Sequence, residues 1–260
     1  MVKTFKQFLK EAVLNKYQPG EFGYWWVVEQ GNEDIEGKVY NHYIDCRNKN
    51  ITSLRGCPKE VNGFDCSGNK LKNLKGAPEK VYFDFDCSNN QLTTLEGCPK
   101  EIGDKFTCEN NRLKSLESGP DFVKGFYNCM NNQLITLKGA PEETRDFYCS
   151  YNKLTSLKGA PKNKDGFGCS DNQLTTLEGA PERVKGNFYC HNNKLTSLKG
   201  APRIVKGDFY CQGNPLTTID GLPKLIDGRL YIINFDLLGG WDKLKEKIKK
   251  SVRGYTYQRD

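Results

Sequence analysis

The sequence predicts a repeat solenoid, in which about nine similar coils stack their short strands into one parallel sheet. Cysteines recur every 20 or 21 residues, at positions 46, 66, 87, 108, 129, 149, 169, 190 and 211. A large apolar residue stands two positions before each of them, from Ile44 to Phe209. Nine of the eleven prolines occupy one fixed phase of the same repeat. A period sustained over this many copies indicates stacked coils rather than a globular core.

Each position of the repeat has a physical reason. The unit reads F-x-C-x-x-N-x-L-T-x-L-x-G-x-P-x-x-V. Because strand side chains alternate, Phe and Cys point into the core and the residue between them points outward. The asparagine column, Asn69 to Asn214 with Lys49 in the first coil, suits a turn where an amide satisfies backbone groups. About ten residues then remain before the next strand, and Gly-x-Pro interrupts them, so we expect extended or turn-like chain there.

The repeat resembles the leucine-rich-repeat consensus L-x-x-L-x-L-x-x-N-x-L, with Phe and Cys at the two strand positions. Its N-x-L-T-x-L segment followed by proline is most similar to the short bacterial type found in enterobacterial secreted effectors. The resemblance covers roughly residues 40 to 237. It implies a leucine-rich-repeat solenoid with a parallel β-sheet on its concave face, an irregular, non-helical convex side, and binding of partners at the concave face.

The segments outside the repeat predict a leader and two caps. We expect an amphipathic leader over 1–17, an N-terminal cap over 18–43, the solenoid over 44–237, and a capping helix with a tail over 238–260. The run from Trp25 to Val28, a polar turn and a second strand-like run predict a hairpin-like N-terminal cap. Leu230 and Ile232 replace Phe and Cys in a degenerate last coil. After it, four apolar residues at helical spacing predict the C-terminal capping helix: Leu237, Trp241, Leu244 and Ile248. The five lysines between and after them leave a basic membrane-surface helix as the alternative.

Cysteine chemistry and catalysis find little support. The register predicts an inward column of reduced thiols, since no C-x-x-C pair typical of zinc sites occurs and no disulfide is expected without a secretory signal. Cys57 and Cys98 occupy the small position that alanine fills in other coils. With two histidines, no nucleophile motif and no phosphate-binding loop, we expect no enzyme activity, no cofactor and no metal.

The residue before each repeat cysteine predicts the partner-binding surface, because it points out over the strand face. This outward series is acidic at its start, with Asp45, Asp65 and Asp86, and rich in tyrosine later. We expect the aspartates to form a flank that selects basic partner groups. The binding patch itself consists of four tyrosines and one histidine: Tyr148, Tyr189, Tyr210, Tyr231 and His191. The alternative is that neighbouring tyrosines only stabilise the sheet.

The first twelve residues, MVKTFKQFLKEA, resemble the capsid-targeting leader of internal head proteins of T-even bacteriophages. Those leaders begin M-K-T-[FY]-x-x-F-[IL]-x-E-A, from which Val2 departs. The resemblance implies a phage-encoded protein, packaged in the head and cut between Glu11 and Ala12. An ordinary amphipathic helix is the alternative.

These features favour a non-enzymatic module that binds a host or phage protein, including as an inhibitor of a host factor, in the bacterial cytoplasm. A structural or packaged virion component that docks on capsid or tail protein is the second hypothesis, and a nucleic-acid or glycan module is the third. The net charge of +7 on a mixed surface, with aspartates opening the strand face, disfavours nucleic acid. No apolar run is long enough to cross a membrane. The sequence does not predict the oligomeric state.

Overall fold

The computed structural model describes residues 12, 14–162, 165–232, 246 and 248, and the backbone of 252–255. These residues form a solenoid in which every strand pair is parallel, and the strands join in one continuous sheet. The pairing confirms the predicted parallel-strand solenoid. No helix in the described part of the chain is long and apolar enough to cross a membrane.

The strands of the main ladder carry the Phe and Cys columns, one strand for each coil. In chain order, their bounds are β1 Val39–Asp45, β2 Glu60–Asp65, β4 Phe85–Asp86, β6 Phe106–Thr107, β8 Phe126–Asn128, β9 Asp146–Tyr148, β10 Phe167–Gly168, β12 Phe188–Tyr189, β14 Phe209–Tyr210 and β15 Leu225–Tyr231. A last strand, β16 Val252–Tyr255, pairs with β15.

A second, shorter ladder runs beside the main one, at the valine position of the repeat. Its strands are β3 Lys80–Val81, β5 Glu101–Ile102, β7 Phe122–Val123, β11 Arg183–Val184 and β13 Ile204–Val205. At the ends, β1, β2 and β15 belong to both ladders, because each is long enough to pair at both positions. The sequence analysis did not assign a strand here. A bend of about three residues separates the two ladders in the other coils.

The register places like residues on like residues, which builds continuous core columns. Phe64 pairs with Phe85, and Phe188 with Phe209, whose rings lie 5.9 and 5.4 Å from their neighbours in the column. All eleven cysteines are buried and none forms a disulfide. Both leucine columns, from Ile51 to Leu216 and from Leu54 to Ile219, are buried too. The strand period therefore directs Phe and Cys inward, as predicted.

The asparagine column forms a ladder of buried hydrogen bonds between coils. In Asn132, Oδ1 accepts from the Leu113 N–H of the preceding coil at 3.0 Å. Its Nδ2 donates to the carbonyls of Cys108 and Cys129, at 3.0 and 3.2 Å. Each such amide satisfies backbone groups that the turn leaves without ladder partners, because the chain departs from the strand there. This confirms the role predicted for the asparagines.

The position before each ladder asparagine has a left-handed backbone. Its occupants have φ between 50° and 67°: Asn48, Gly68, Asn89, Asn110, Asn131, Tyr151, Asp171, Asn192 and Gly213. Asparagine, aspartate and glycine adopt this region at least cost, which explains the composition of this column. Tyr151, which is about half exposed, is the one residue of this column that is not asparagine, aspartate or glycine.

The N-terminal cap is helical, so the predicted hairpin is wrong. A π-helical segment spans Tyr24–Glu29, and Phe22 and Trp25 cover the start of the Phe column, with Phe22 5.8 Å from Phe64. Strand β1 pairs in parallel with β2, because it belongs to the first coil and not to a hairpin. The apolar run from Trp25 to Val28 has no period that separates helix from strand, and burial of Phe22 and Trp25 at helical spacing decided the outcome.

A buried side chain ties the residues before the cap to it. Tyr17 is 1% exposed, and its hydroxyl donates to Asp34 at 2.9 Å. Lys16 forms ion pairs with Asp34 and Glu36 at 2.6 and 2.8 Å. Most of the predicted leader, including Glu11, lies outside the described residues, whereas Ala12 is helical and exposed.

At the C-terminal end, Leu230 and Ile232 are buried at the Phe and Cys positions of the degenerate coil. Most of the predicted capping helix, with Leu237, Trp241 and Leu244, lies outside the described residues. Glu246 and Ile248 are helical, and Ile248 is 1% exposed against the core. Residues 252–255, predicted as part of a tail, form β16 instead.

Candidate functional site

The outward row of the main ladder brings the predicted tyrosines onto neighbouring strands. Gly168 pairs with Tyr148 on one side and Tyr189 on the other, Tyr189 pairs with Tyr210, and Tyr210 pairs with Tyr231. All four tyrosines are half-buried. We call Tyr148, Tyr189, Tyr210 and Tyr231 the tyrosine row.

Three rings of the tyrosine row form a parallel stack. The ring centroids of Tyr189 and Tyr210 lie 4.8 Å apart with planes at 15°, and those of Tyr210 and Tyr231 lie 4.2 Å apart with planes at 8°. The spacing follows the strand separation of about 4.8 Å. Stacking leaves the ring edges toward solvent and turns one face of Tyr189 toward the neighbouring strand β10.

Hydrogen bonds hold the hydroxyl ends of this stack. Asn187 Nδ2 donates to the Tyr189 hydroxyl at 2.8 Å, and the Tyr210 hydroxyl donates to Asp208 Oδ2 at 3.0 Å. Burial, followed by the bond to Asp208, raises the pKa of Tyr210. The rings are therefore fixed at both ends, by the backbone of their own strand and by residues two positions earlier.

Tyr148 reaches the row across a gap left by glycine. Its ring lies 5.2 Å from that of Phe126, and a Cβ at Gly168 would stand 2.6 Å from Tyr148 Cδ1. A side chain at residue 168 would displace Tyr148, so glycine lets this ring lie over β10. Phe126, which the sequence analysis did not single out, thus extends the aromatic surface by one coil.

His191 lies at the turn end of the tyrosine row. Its ring meets that of Tyr189 at 79°, with 6.4 Å between centroids, and its Nε2 lies 3.6 Å from Asp171 Oδ2. Burial lowers the pKa of His191, and the Asp171 carboxylate opposes part of that effect. The imidazole is therefore neutral at pH 7.

Polar atoms near His191 are buried without a hydrogen-bond partner. In the part of the chain that the structure describes, these include Asp171 Oδ2, His191 Nδ1 and Gln212 Oε1. The sequence analysis named His191 and missed Asp171 and Gln212 as site residues. The signal was available for Asp171, since it is the one carboxylate in the left-handed column.

The three aspartates lie on adjacent strands, but their environments differ. Asp45 is exposed, and Arg47 binds it at 2.7 Å, which holds the pKa of Asp45 below its usual value. Asp65 is 6% exposed, with one oxygen accepting the Ser67 N–H and the other 3.4 Å from Arg47. Burial raises the pKa of Asp86. Arg47 thus neutralises part of the acidic flank.

The cysteines offer no site for chemistry. Burial raises the pKa of the column thiols, among them Cys87, Cys108 and Cys190. Within the described ranges, no three metal-ligating side chains are arranged to hold an ion.

Comparisons with known proteins find similarity to solved structures alone. No protein-family model and no curated protein matches the chain. Solved structures similar to it include two of YopM proteins. YopM, a leucine-rich effector protein from Yersinia pestis, has 17% identity and a TM-score of 0.43, with 88% of this chain and 85% of that one covered. YopM from Yersinia enterocolitica has 14% identity and a TM-score of 0.32, over 99% of this chain and 75% of that one.

Proposed function

We propose that this protein binds another protein through the strand face, with the tyrosine row and His191 as the centre of contact. The observation that carries the proposal is the stack of Tyr189, Tyr210 and Tyr231, with centroids 4.8 and 4.2 Å apart. Tyrosine is enriched in protein interfaces, since it combines a large apolar area with a polar tip.

The fixed geometry of the stack supports binding energetically. Ordering a free, rotamer-rich side chain at an interface costs about 0.5–1.5 kcal/mol. The hydrogen bonds of Tyr189 with Asn187 and of Tyr210 with Asp208 already order two of these rings. Their side-chain conformational entropy is therefore lost on folding and not on binding. The three aspartates at the other end of the face outnumber Arg47, which favours a partner with basic groups there.

The competing interpretation, that the stack only stabilises the sheet, makes a different prediction for variants. We would compare wild type with Tyr189→Ala/Tyr210→Ala and with Tyr151→Ala, an exposed tyrosine on a turn outside the row. Quantitative mass spectrometry would measure the proteins that each immobilised variant retains from bacterial lysate, and circular dichroism would measure the melting temperature of each variant.

We expect one or more proteins that wild type and Tyr151→Ala retain equally, and that the double variant loses by at least tenfold while it remains folded. Equal retention by a folded double variant would refute the site. Since the strand face begins with aspartates, we also expect the chain to bind DNA weakly in a fluorescence anisotropy titration, with little dependence on salt.

A virion component is the second candidate, and the N-terminal motif favours it. The tripeptide Leu9, Lys10 and Glu11 matches the cleavage signal of the phage leaders described above. In this proposal, the gene is carried by a phage, and the mature chain, starting at Ala12, is packaged and docks on capsid or tail protein. Mass spectrometry of purified particles tests it: a peptide with Ala12 at its N-terminus supports packaging, and an intact Met1 terminus contradicts it.

A further inference from the structure

We infer that the His191 end of the tyrosine row receives an arginine side chain of the bound protein, between the face of Tyr189 that turns toward β10 and the group formed by Asp171, His191 and Gln212. This inference rests on the proposed function and specifies the chemistry of the partner. Three observations support it: the unpaired acceptors, the aromatic face of Tyr189 beside Gly168, and the position of one carboxylate.

The unpaired atoms lie on three consecutive coils, so they face one small region. The Asp171 N–H donates to the His191 carbonyl at 3.1 Å, and the Asn192 N–H donates to the Gln212 carbonyl at 3.0 Å. Asp171 Oδ2, His191 Nδ1 and Gln212 Oε1 are each buried without a partner among the described residues. A buried polar atom without a hydrogen bond costs about 1–3 kcal/mol. A ligand toward which these side chains rotate would recover that energy.

All three unpaired atoms are hydrogen-bond acceptors. Asp171 Oδ2 is a carboxylate oxygen, and Gln212 Oε1 is an amide oxygen. His191 is neutral, and with its proton on Nε2, which lies 3.6 Å from Asp171 Oδ2, its Nδ1 also accepts. Asp171 is already oriented, because its other oxygen accepts from Asn192 Nδ2 at 2.9 Å. The site therefore presents three acceptors, one of which carries a negative charge.

The neighbouring ring selects a flat cation. Tyr210 covers one face of Tyr189, while the other face looks toward β10, where Gly168 has no side chain and the Tyr148 ring lies over the strand. A cation over an aromatic face is stabilised by about 0.5–2 kcal/mol. A guanidinium group combines a planar cation with five donors, which matches the ring and the acceptors together. A lysine ammonium brings three donors around a point charge and cannot stack flat.

Proton NMR can test the site with a defined probe, because the chain has only two histidines. The probe is N-acetyl-arginine methylamide, compared with the lysine and citrulline analogues. Citrulline keeps the planar shape without the charge. The resonances of His191 report on the site, and those of His42, which lies on β1 far along the ladder, serve as an internal control.

Asp171→Asn is the diagnostic variant. Asn fits the left-handed backbone here, with φ of 53° for Asp171, because five other coils have asparagine in this column. The substitution therefore removes the charge without straining the turn. Asp220→Asn, an exposed aspartate outside the strand face, is the matched control.

We expect arginine to shift the His191 resonances saturably, the citrulline analogue to bind at least tenfold more weakly, and the lysine analogue to lie between them. Asp171→Asn should lose at least tenfold in affinity for the arginine probe, and Asp220→Asn should match wild type. The inference is overturned if arginine and citrulline act alike, or if Asp171→Asn binds arginine as wild type does.

Its failure can be told apart from failure of the proposed function. If Tyr189→Ala/Tyr210→Ala loses a protein partner while arginine leaves His191 unmoved, the arginine assignment is wrong and the protein-binding face stands. If arginine binds but the double variant retains every protein, the face is not the binding surface, and both proposals fall.

Discussion

Replacing one ladder asparagine tests how the coils are joined. In Asn132→Ala, the Leu113 N–H loses its acceptor, and the Cys108 and Cys129 carbonyls each lose one donor. The Cys108 carbonyl keeps the donor from Asn111, and the Cys129 carbonyl keeps the donor from Asn152, so neither carbonyl is left without a hydrogen bond. An unsatisfied buried amide costs about 1–3 kcal/mol and each of the two weakened bonds about 0.5–1 kcal/mol, so we expect the free energy of unfolding to fall by about 2–5 kcal/mol.

Urea unfolding followed by circular dichroism would measure this change, and amide hydrogen exchange would locate it at Leu113. Asn131→Gly is the control, since Asn131 is the adjacent residue, is exposed, and has φ of 50°, which glycine adopts freely. We expect the control to change stability by less than about 0.5 kcal/mol. A loss below about 1 kcal/mol in Asn132→Ala, or equal losses in both variants, would refute the ladder as a main source of cohesion between coils.

Four further substitutions follow from single positions. Tyr127→Phe should stabilise the protein by about 1 kcal/mol in urea unfolding, because the Tyr127 hydroxyl is fully buried and has no partner among the described residues. Tyr17→Phe should destabilise the protein by about the same amount, because it removes the hydrogen bond to Asp34. Ser118→Gly should add about 0.5–1 kcal/mol, since Ser118 has φ of 66° where the other coils place glycine; unchanged thermal stability would contradict this. Asp86→Asn tests pH dependence: burial raises the pKa of Asp86 in the folded state, so its charged form opposes folding as pH rises through that pKa. The variant should be more stable than wild type at pH 7, and the gap measured by thermal unfolding should close below about pH 4, where the carboxyl is neutral in both states.

The core could be predicted from the sequence because one constraint is repeated nine times. A single Phe-x-Cys segment is ambiguous, but the shared register of Ile44 through Phe209 leaves only one side of the sheet for these side chains. The asparagine ladder was equally predictable, since a column of amides beside a turn has few other uses. The tyrosine row follows from the same alternation, whereas binding at that row stays a prediction.

Non-repeating features escaped prediction because no second copy constrains them. The cap became helical through contacts of Phe22 with Trp25 and Phe64, which a short apolar run does not encode locally. The second ladder depends on a bend that lets Val81 pair separately from Phe85. The unpaired acceptors of Asp171 and Gln212 depend on side-chain geometry, which residue type alone does not determine.

The central claim is that the repeat period turns every cysteine inward and the preceding residues outward. Thiol labelling with iodoacetamide, measured by mass spectrometry, tests it most directly. The native chain is compared with the chain in about 6–8 M urea, which unfolds it completely. We expect none of the eleven cysteines to react in the native chain over hours and all eleven to react once unfolded, since they are buried with raised pKa values. Rapid native labelling of the column from Cys66 to Cys190 would contradict the account.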